Sequence, residues 1–165
     1  IDDHPSGDPA LATPLLPEDW RTLADPPSAE TCSRDVYAPD TRFTPASVLR
    51  LARGIASATA HLHDCGFSHG DLYAHNILWD GDDGASVLTD FGAASPLPAG
   101  ASGDAWRRVE TRAYGILLYE LLEGCAEPLT DLRDLAAACT QPRVDARPMM
   151  DEVFARLPAL LGIAS

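Results

Sequence analysis

Ser68-His69-Gly70-Asp71-Leu72-Tyr73-Ala74-His75-Asn76-Ile77-Leu78 is followed, fourteen residues after Asn76, by Asp90-Phe91-Gly92. Three oxygen-bearing side chains stand out in these two stretches: Asp71, Asn76 and Asp90. Asn76-Ile77-Leu78-Trp79 and Ser86-Val87-Leu88-Thr89 are short apolar strand candidates. The link Asp80-Gly81-Asp82-Asp83-Gly84 between them is rich in turn formers, so the segment reads as a hairpin. A hairpin brings Asn76, at the start of one strand, near Asp90, just past the end of the other.

The order His-x-Asp-Leu-x-x-x-Asn, hairpin, Asp-Phe-Gly resembles the C-terminal lobe of a protein kinase. The resemblance implies an α+β fold: a kinase-like C-lobe, mostly α-helical with short β-hairpins. It implies that Asp71 orients the acceptor hydroxyl in transfer of the ATP γ-phosphate, and that Asn76 and Asp90 hold Mg²⁺. The chemistry suits these residue types. Hard Mg²⁺ takes oxygen ligands, and triphosphate completes its shell. A nucleophilic hydroxyl needs an acceptor, which a carboxylate provides. His69 and Gly92 are structural members of the same motifs, and Leu78 matches the floor of the adenine pocket.

The catalytic loop departs from the family pattern. Gly70 stands where many kinases carry an arginine that reads an activation-loop phosphate, so by analogy no such phosphate is needed. Tyr73 stands where Ser/Thr kinases have a lysine. His75 stands where many tyrosine kinases have arginine, and it either lends partial positive charge to the transferring phosphate or hydrogen-bonds locally. His-Gly-Asp-Leu-x-x-x-Asn also resembles aminoglycoside and choline phosphotransferases, which phosphorylate small molecules. The acceptor is therefore a protein or a small-molecule hydroxyl.

A chain of 165 residues is one domain at most, and 45% apolar content is ordinary for a globular core. The net charge of −13 argues against nucleic acid or an anionic membrane as partner, because both need a basic footprint. No apolar run of ~18 residues and no signal-peptide pattern is present, and a cytoplasmic location is expected. Cys32, Cys65, Cys125 and Cys139 form no C-x-x-C pair. Buried free thiols in a reducing compartment are the expectation, with a disulfide or metal site the alternative.

All twelve basic residues are arginine; the chain contains no lysine. With its alanine and arginine content this suggests a GC-rich bacterial genome. Protein kinases hold the α/β-phosphates with a strand lysine and cover them with a Gly-x-Gly-x-x-Gly loop. Neither occurs in these residues. By the resemblance, residues 1–17 are a remnant of N-lobe strands and hinge, and 18–165 are the C-lobe, with the catalytic loop at 68–78 and the metal turn at 90–92. Most of the N-lobe is then absent, and a further segment or partner chain would have to supply it. Thr13 falls at the gatekeeper position, with the Pro14 carbonyl and Leu16 amide offered to adenine. A β-hairpin without a ligand fits the same residues.

Residues 18–40 are Pro-rich and aperiodic, read as loop with a short helical turn around Trp20 to Leu23, and Arg34-Asp35 reads as a surface ion pair. Thr44 to Asp64 is the clearest helix, with Thr44 as N-cap, Pro45 at the first turn and Val48, Ala52, Ile55, Thr59 and Leu62 on one face. Gly66 is a left-handed stop, and His61 and His63 point apart. Ala93 to Gly103 reads as a loop and Val109 to Leu122 as a helix apolar nearly all round, hence central to a core. The family register puts Glu110 where an acidic side chain accepts N–H bonds from the catalytic loop, leaving Asp104 as a cap or loop acid. Thr130 to Cys139, capped by Thr130, and a helix opened by Arg147-Pro148 complete the chain. In the family that arginine pairs with the glutamate of an Ala-Pro-Glu motif, which is missing here, so Arg147 needs another partner.

Two functional classes follow. One is an ATP- and Mg²⁺-dependent phosphotransferase lobe. The other is a kinase-like binding module that acts through contacts without transferring phosphate.

Overall fold

The computed structural model describes residues 2–3, 9–10, 15–31 and 35–160. In chain order its elements are β1 (Asp2–Asp3), β2 (Pro9–Ala10), β3 (Arg21–Thr22), α1 (Pro45–Asp64), β4 (Phe67–Ser68), β5 (Ile77–Trp79), β6 (Ser86–Leu88), β7 (Ser95–Pro96), α2 (Ala101–Glu123), α3 (Thr130–Cys139) and α4 (Met150–Leu160). The fold is α+β, with helices dominating and the described strands forming three small antiparallel sheets.

α1 begins with a reciprocal capping box. Thr44 Oγ1 accepts from Ser47 N–H, and Ser47 Oγ accepts from Thr44 N–H. Two otherwise orphaned amides are satisfied at once. Val48, Ala52, Ile55 and Thr59 are buried along its inner face, and Leu62 is only half-buried. That face packs on α4, and its C-terminal end leads through Gly66, at φ +80°, into β4. α2 crosses the middle of the core. Tyr114, Leu117, Leu118 and Leu121 are buried, and the Tyr114 hydroxyl donates to the Ala52 carbonyl of α1 at 2.9 Å. α3 lies so close to α2 that a Cβ on Gly115 would sit 2.6 Å from Cys139 Cβ.

Several expectations are corrected. Trp20 to Leu23 forms no helical turn: Arg21–Thr22 is β3, paired with Trp79 and Leu78 of β5, and Leu23 N–H donates to Ile77 O at 2.8 Å. The open edge of β5 needs backbone partners, and that demand outweighs the local helical tendency. The central helix starts at Ala101 rather than near Val109. Its first turn is built of small residues because Gly103 lies against the Pro98 carbonyl, where no side chain fits. Asp104 sits inside that turn and pairs with Arg107. Val109 is 47% exposed, so the helix is not apolar-buried all round. Thr130 is the first residue of α3 and makes no cap; Leu129 precedes it. α4 starts two residues after Pro148, since the extended backbone of Arg147 is what a following proline prefers. Of the described cysteines only Cys139 is buried; Cys65 is exposed and Cys125 half-buried, and all are free thiols. Burial pushes the Cys139 thiol up to about 12. Cys32 lies outside the described residues.

Candidate catalytic loop and metal turn

The loop from Ser68 to Asn76 is suspended between secondary structure at both ends. β4 pairs with β7, Phe67 opposite Pro96 and Ser68 opposite Ser95. At the other end, Ala74–Asn76 makes one tight turn into β5. β5 and β6 form the expected hairpin with Ile77 opposite Leu88, Leu78 opposite Val87 and Trp79 opposite Ser86. Its turn is held by Asp80, whose carboxylate accepts from the N–H groups of Asp82, Gly84 and Ala85.

Glu110 of α2 is the anchor beneath the loop. Its carboxylate accepts from Gly70 N–H at 2.8 Å, His69 N–H at 3.3 Å and Ser68 Oγ–H at 3.1 Å, and meets His63 Nε2 at 2.8 Å. Burial pushes its carboxyl upward, but the hydrogen bonds from His63, Gly70 and His69 outweigh it and hold the group below the ordinary glutamate range. His69 is fully buried. Its Nε2 donates to Thr89 O at 2.9 Å and its Nδ1 accepts from Asp71 N–H at 3.3 Å, a pairing that sets the tautomer. Its ring meets Phe91 edge-on at 5.0 Å. One imidazole thus ties the catalytic loop to both sides of the metal turn.

Gly70 has φ +78°, and a Cβ there would lie 2.5 Å from the carbonyl oxygen of Ala93. Only glycine fits, both for its backbone and for the close passage of the segment after Gly92. The absence of arginine at this position thus has a local steric cause.

Asn76 is buried, and its Nδ2 donates to both the Asp71 carbonyl and Asp71 Oδ2 at 2.9 Å. With both amide hydrogens used, Oδ1 is the atom left for a cation. Thr89 is bonded to the Asn76 carbonyl through its N–H at 2.8 Å and its hydroxyl at 2.9 Å. Asp90 follows directly, exposed and in the left-handed region at φ 55°, with Oδ1 accepting from Gly92 N–H at 3.1 Å. A side-chain-to-backbone bond two residues on is how an aspartate tolerates that conformation. Asp71 and Asn76 are therefore in direct contact, and Asp90 is one residue from the Asn76 partner. Among the described residues no group of three or more His, Cys, Asp and Glu side chains is arranged to hold a metal. An Asn–Asp pair leaves most of an oxygen shell to phosphate and water, which is the pattern Mg²⁺ accepts.

The other sequence-derived candidates fall as follows. Leu78 is half-buried on β5, opposite Val87 on one side and Thr22 on the other, and Leu16 is half-buried ahead of β3. Thr13 and Pro14 lie outside the described residues. Arg147 is buried, with three backbone carbonyls for partners: Gln141 at 2.7 Å, Arg108 at 3.2 Å and Pro142 at 3.3 Å. Carbonyls thus take the place of the missing carboxylate.

His75 is held locally by its neighbours. Its Nδ1 meets Asp35 Oδ1 at 2.5 Å, and its ring stacks on Tyr73 at 5.5 Å. The reading of Arg34-Asp35 as a surface ion pair is overturned for Asp35, whose side chain is 1% exposed; Arg34 lies outside the described residues. Asp35 was missed because its partners come from a segment about forty residues downstream. An acid in an aperiodic stretch gives no sign of that.

The family model of the protein kinase domain matches residues 28–115 of the chain. Among similar proteins, the serine/threonine-protein kinase AtPK1/AtPK6 of Arabidopsis thaliana is 34% identical over 88 residues, covering 42% of this chain and 19% of that protein. The serine/threonine-protein kinase A-Raf of Homo sapiens is 30% identical over 112 residues, covering 54% of this chain and 18% of that protein. The serine/threonine-protein kinase ppk21 of Schizosaccharomyces pombe is 40% identical over 63 residues, covering 38% and 11%. The chain thus spans less than a fifth of the length of these relatives. The matched region contains the catalytic loop, the hairpin, the metal turn and Glu110, and the chain belongs to the protein kinase domain family.

Proposed function

We propose that this chain is the catalytic lobe of an ATP-dependent phosphotransferase, moving the γ-phosphate of ATP to a hydroxyl. The observation that carries the reading is the Asp71–Asn76 contact, with the Asp90 turn adjoining it through Thr89. In this reading Asp71 orients and accepts from the incoming hydroxyl. Asn76 donates to Asp71 and so holds the carboxylate still, while its Oδ1 and the Asp90 carboxylate are the oxygens for Mg²⁺. When bound, the ion neutralises charge on the phosphates and aligns them. His69 and Glu110 keep the loop rigid. Leu78, Leu16, Thr13 and Pro14 are the adenine-side candidates, and the acceptor is a protein or small-molecule hydroxyl in a cytoplasmic setting.

A binding module without transferase activity is the second reading. It is favoured by one observation: these 165 residues contain no lysine to hold the α/β-phosphates and no glycine-rich loop to cover them.

Transfer from radiolabelled ATP with Mg²⁺ decides between the two. The Asp71→Ala variant is expected to lose at least about 100-fold of activity, the scale on which positioned acid–base groups act. Transfer that survives the substitution removes the assigned role. Stabilisation by Mg-ATP in a thermal-shift titration without any turnover favours the binding module.

A further inference from the structure

We propose that Asp35 is a positioning residue for phosphoryl transfer, acting on the second half of the catalytic loop through His75 and the Ala74 amide. The proposal rests on the phosphotransferase reading above.

A carboxylate that is 1% exposed is stable only if hydrogen bonds replace its water. Asp35 has two such bonds, to consecutive residues. Oδ2 accepts from Ala74 N–H at 2.6 Å, and Oδ1 meets His75 Nδ1 at 2.5 Å. Both are charge-assisted, since the acceptor is a carboxylate. Ala74 opens the tight turn that delivers Asn76, and Tyr73 ahead of it supplies no side-chain cap. Asp35 therefore provides, from outside, the acceptor that the first amide of this turn would otherwise lack.

The carboxylate is itself braced. The next residue, Val36, exchanges two backbone bonds with Asp25, at 2.9 and 3.0 Å. On the loop side, the His75 ring stacks on Tyr73 with 24° between planes. The following residue is Asn76, whose amide is committed to Asp71. The chain of contacts runs from the Asp25–Val36 bridge through Asp35 to residues 74 and 75, then to Asn76 and Asp71. Removing the carboxylate frees the backbone immediately before Asn76, and small misplacements of reacting groups cost large factors in rate.

The test uses the full chain with Mg-ATP and a degenerate Ser/Thr/Tyr peptide mixture as acceptor. Asp35→Ala is expected to lower kcat on the order of 10–100-fold with KM for ATP within about two-fold. Asp35→Asn, which keeps an oxygen for one of the two donors, falls between it and the parent. In the double variant with His75→Ala the two losses are less than multiplicative. Circular dichroism checks the fold of each variant, and if Asp35→Ala fails to fold, Asp35→Asn and His75→Ala carry the comparison. A downfield imidazole Nδ1–H resonance assigned to His75 is expected in the parent chain and absent in Asp35→Ala.

Unchanged kcat in Asp35→Ala, fully multiplicative losses, or no such resonance in the parent each overturn the proposal. Transfer by the parent chain is scored separately. A parent that transfers no phosphate to these peptides, nor to an aminoglycoside or choline, overturns the phosphotransferase reading first and this proposal with it.

Discussion

Glu110 is the side chain on which most of the local order converges. Three donors from the loop and one histidine share its two oxygens. Glu110→Ala leaves them buried without an acceptor, and a loss of at least about 1–3 kcal/mol in urea unfolding is expected, the cost of leaving a buried donor unsatisfied. The pH dependence follows from the direction of the shift. The folded-state carboxyl lies below its unfolded value, so the native state binds fewer protons in the acid range. Its contribution is fully present above the ordinary glutamate range and is lost as pH falls through the lowered folded value. The stability gap between the parent and Glu110→Gln should therefore narrow as pH drops below about 4, measured by denaturation at stepped pH. A gap that is constant with pH would show that the charge itself contributes nothing.

At the scale of elements, the loop and metal turn are held at a separation that only glycine permits. Gly70→Ala places a methyl against the Ala93 carbonyl in a left-handed backbone. The conformation alone costs about 1–2 kcal/mol, and the overlap must shift the segment that follows Asp90-Phe91-Gly92. The expected outcome is weaker Mg-ADP binding by calorimetry together with a lower unfolding midpoint. In the hairpin, Asp80→Ala removes the acceptor for three turn amides. A loss of about 1 kcal/mol is expected, comparable to removing a helix cap. The diagnostic readout is faster hydrogen exchange at Gly84 and Ala85, with α1 unaffected.

Across the whole molecule, α1 and α2 form the frame, and Leu118 lies fully buried where α2 passes through the core. Leu118→Ala should cost about 2–5 kcal/mol, read as a lower urea midpoint at unchanged slope, because the described core residues form one cluster. The sequence by itself determined the elements whose signals are local. The Thr44 N-cap and apolar face of α1, the turn-rich hairpin and the spacing from Asp71 through Asn76 to Asp90 are all read within short windows. Such windows contain their own hydrogen-bond partners and periodicity. The register that assigns Glu110, rather than Asp104, to the loop also came from sequence, through the family pattern. Only the tertiary structure decided the strand at Arg21–Thr22, the early start of α2, the carbonyl cage around Arg147 and the burial of Asp35. For Arg21–Thr22 and Asp35 the partners lie about forty or more residues along the chain, and Arg147 adds the distant Arg108 carbonyl to two nearby ones, while the start of α2 turns on the close approach of Gly103 to Pro98. A polar group's environment is set by what packs against it, and the local sequence around Asp35 carries no record of Ala74 and His75.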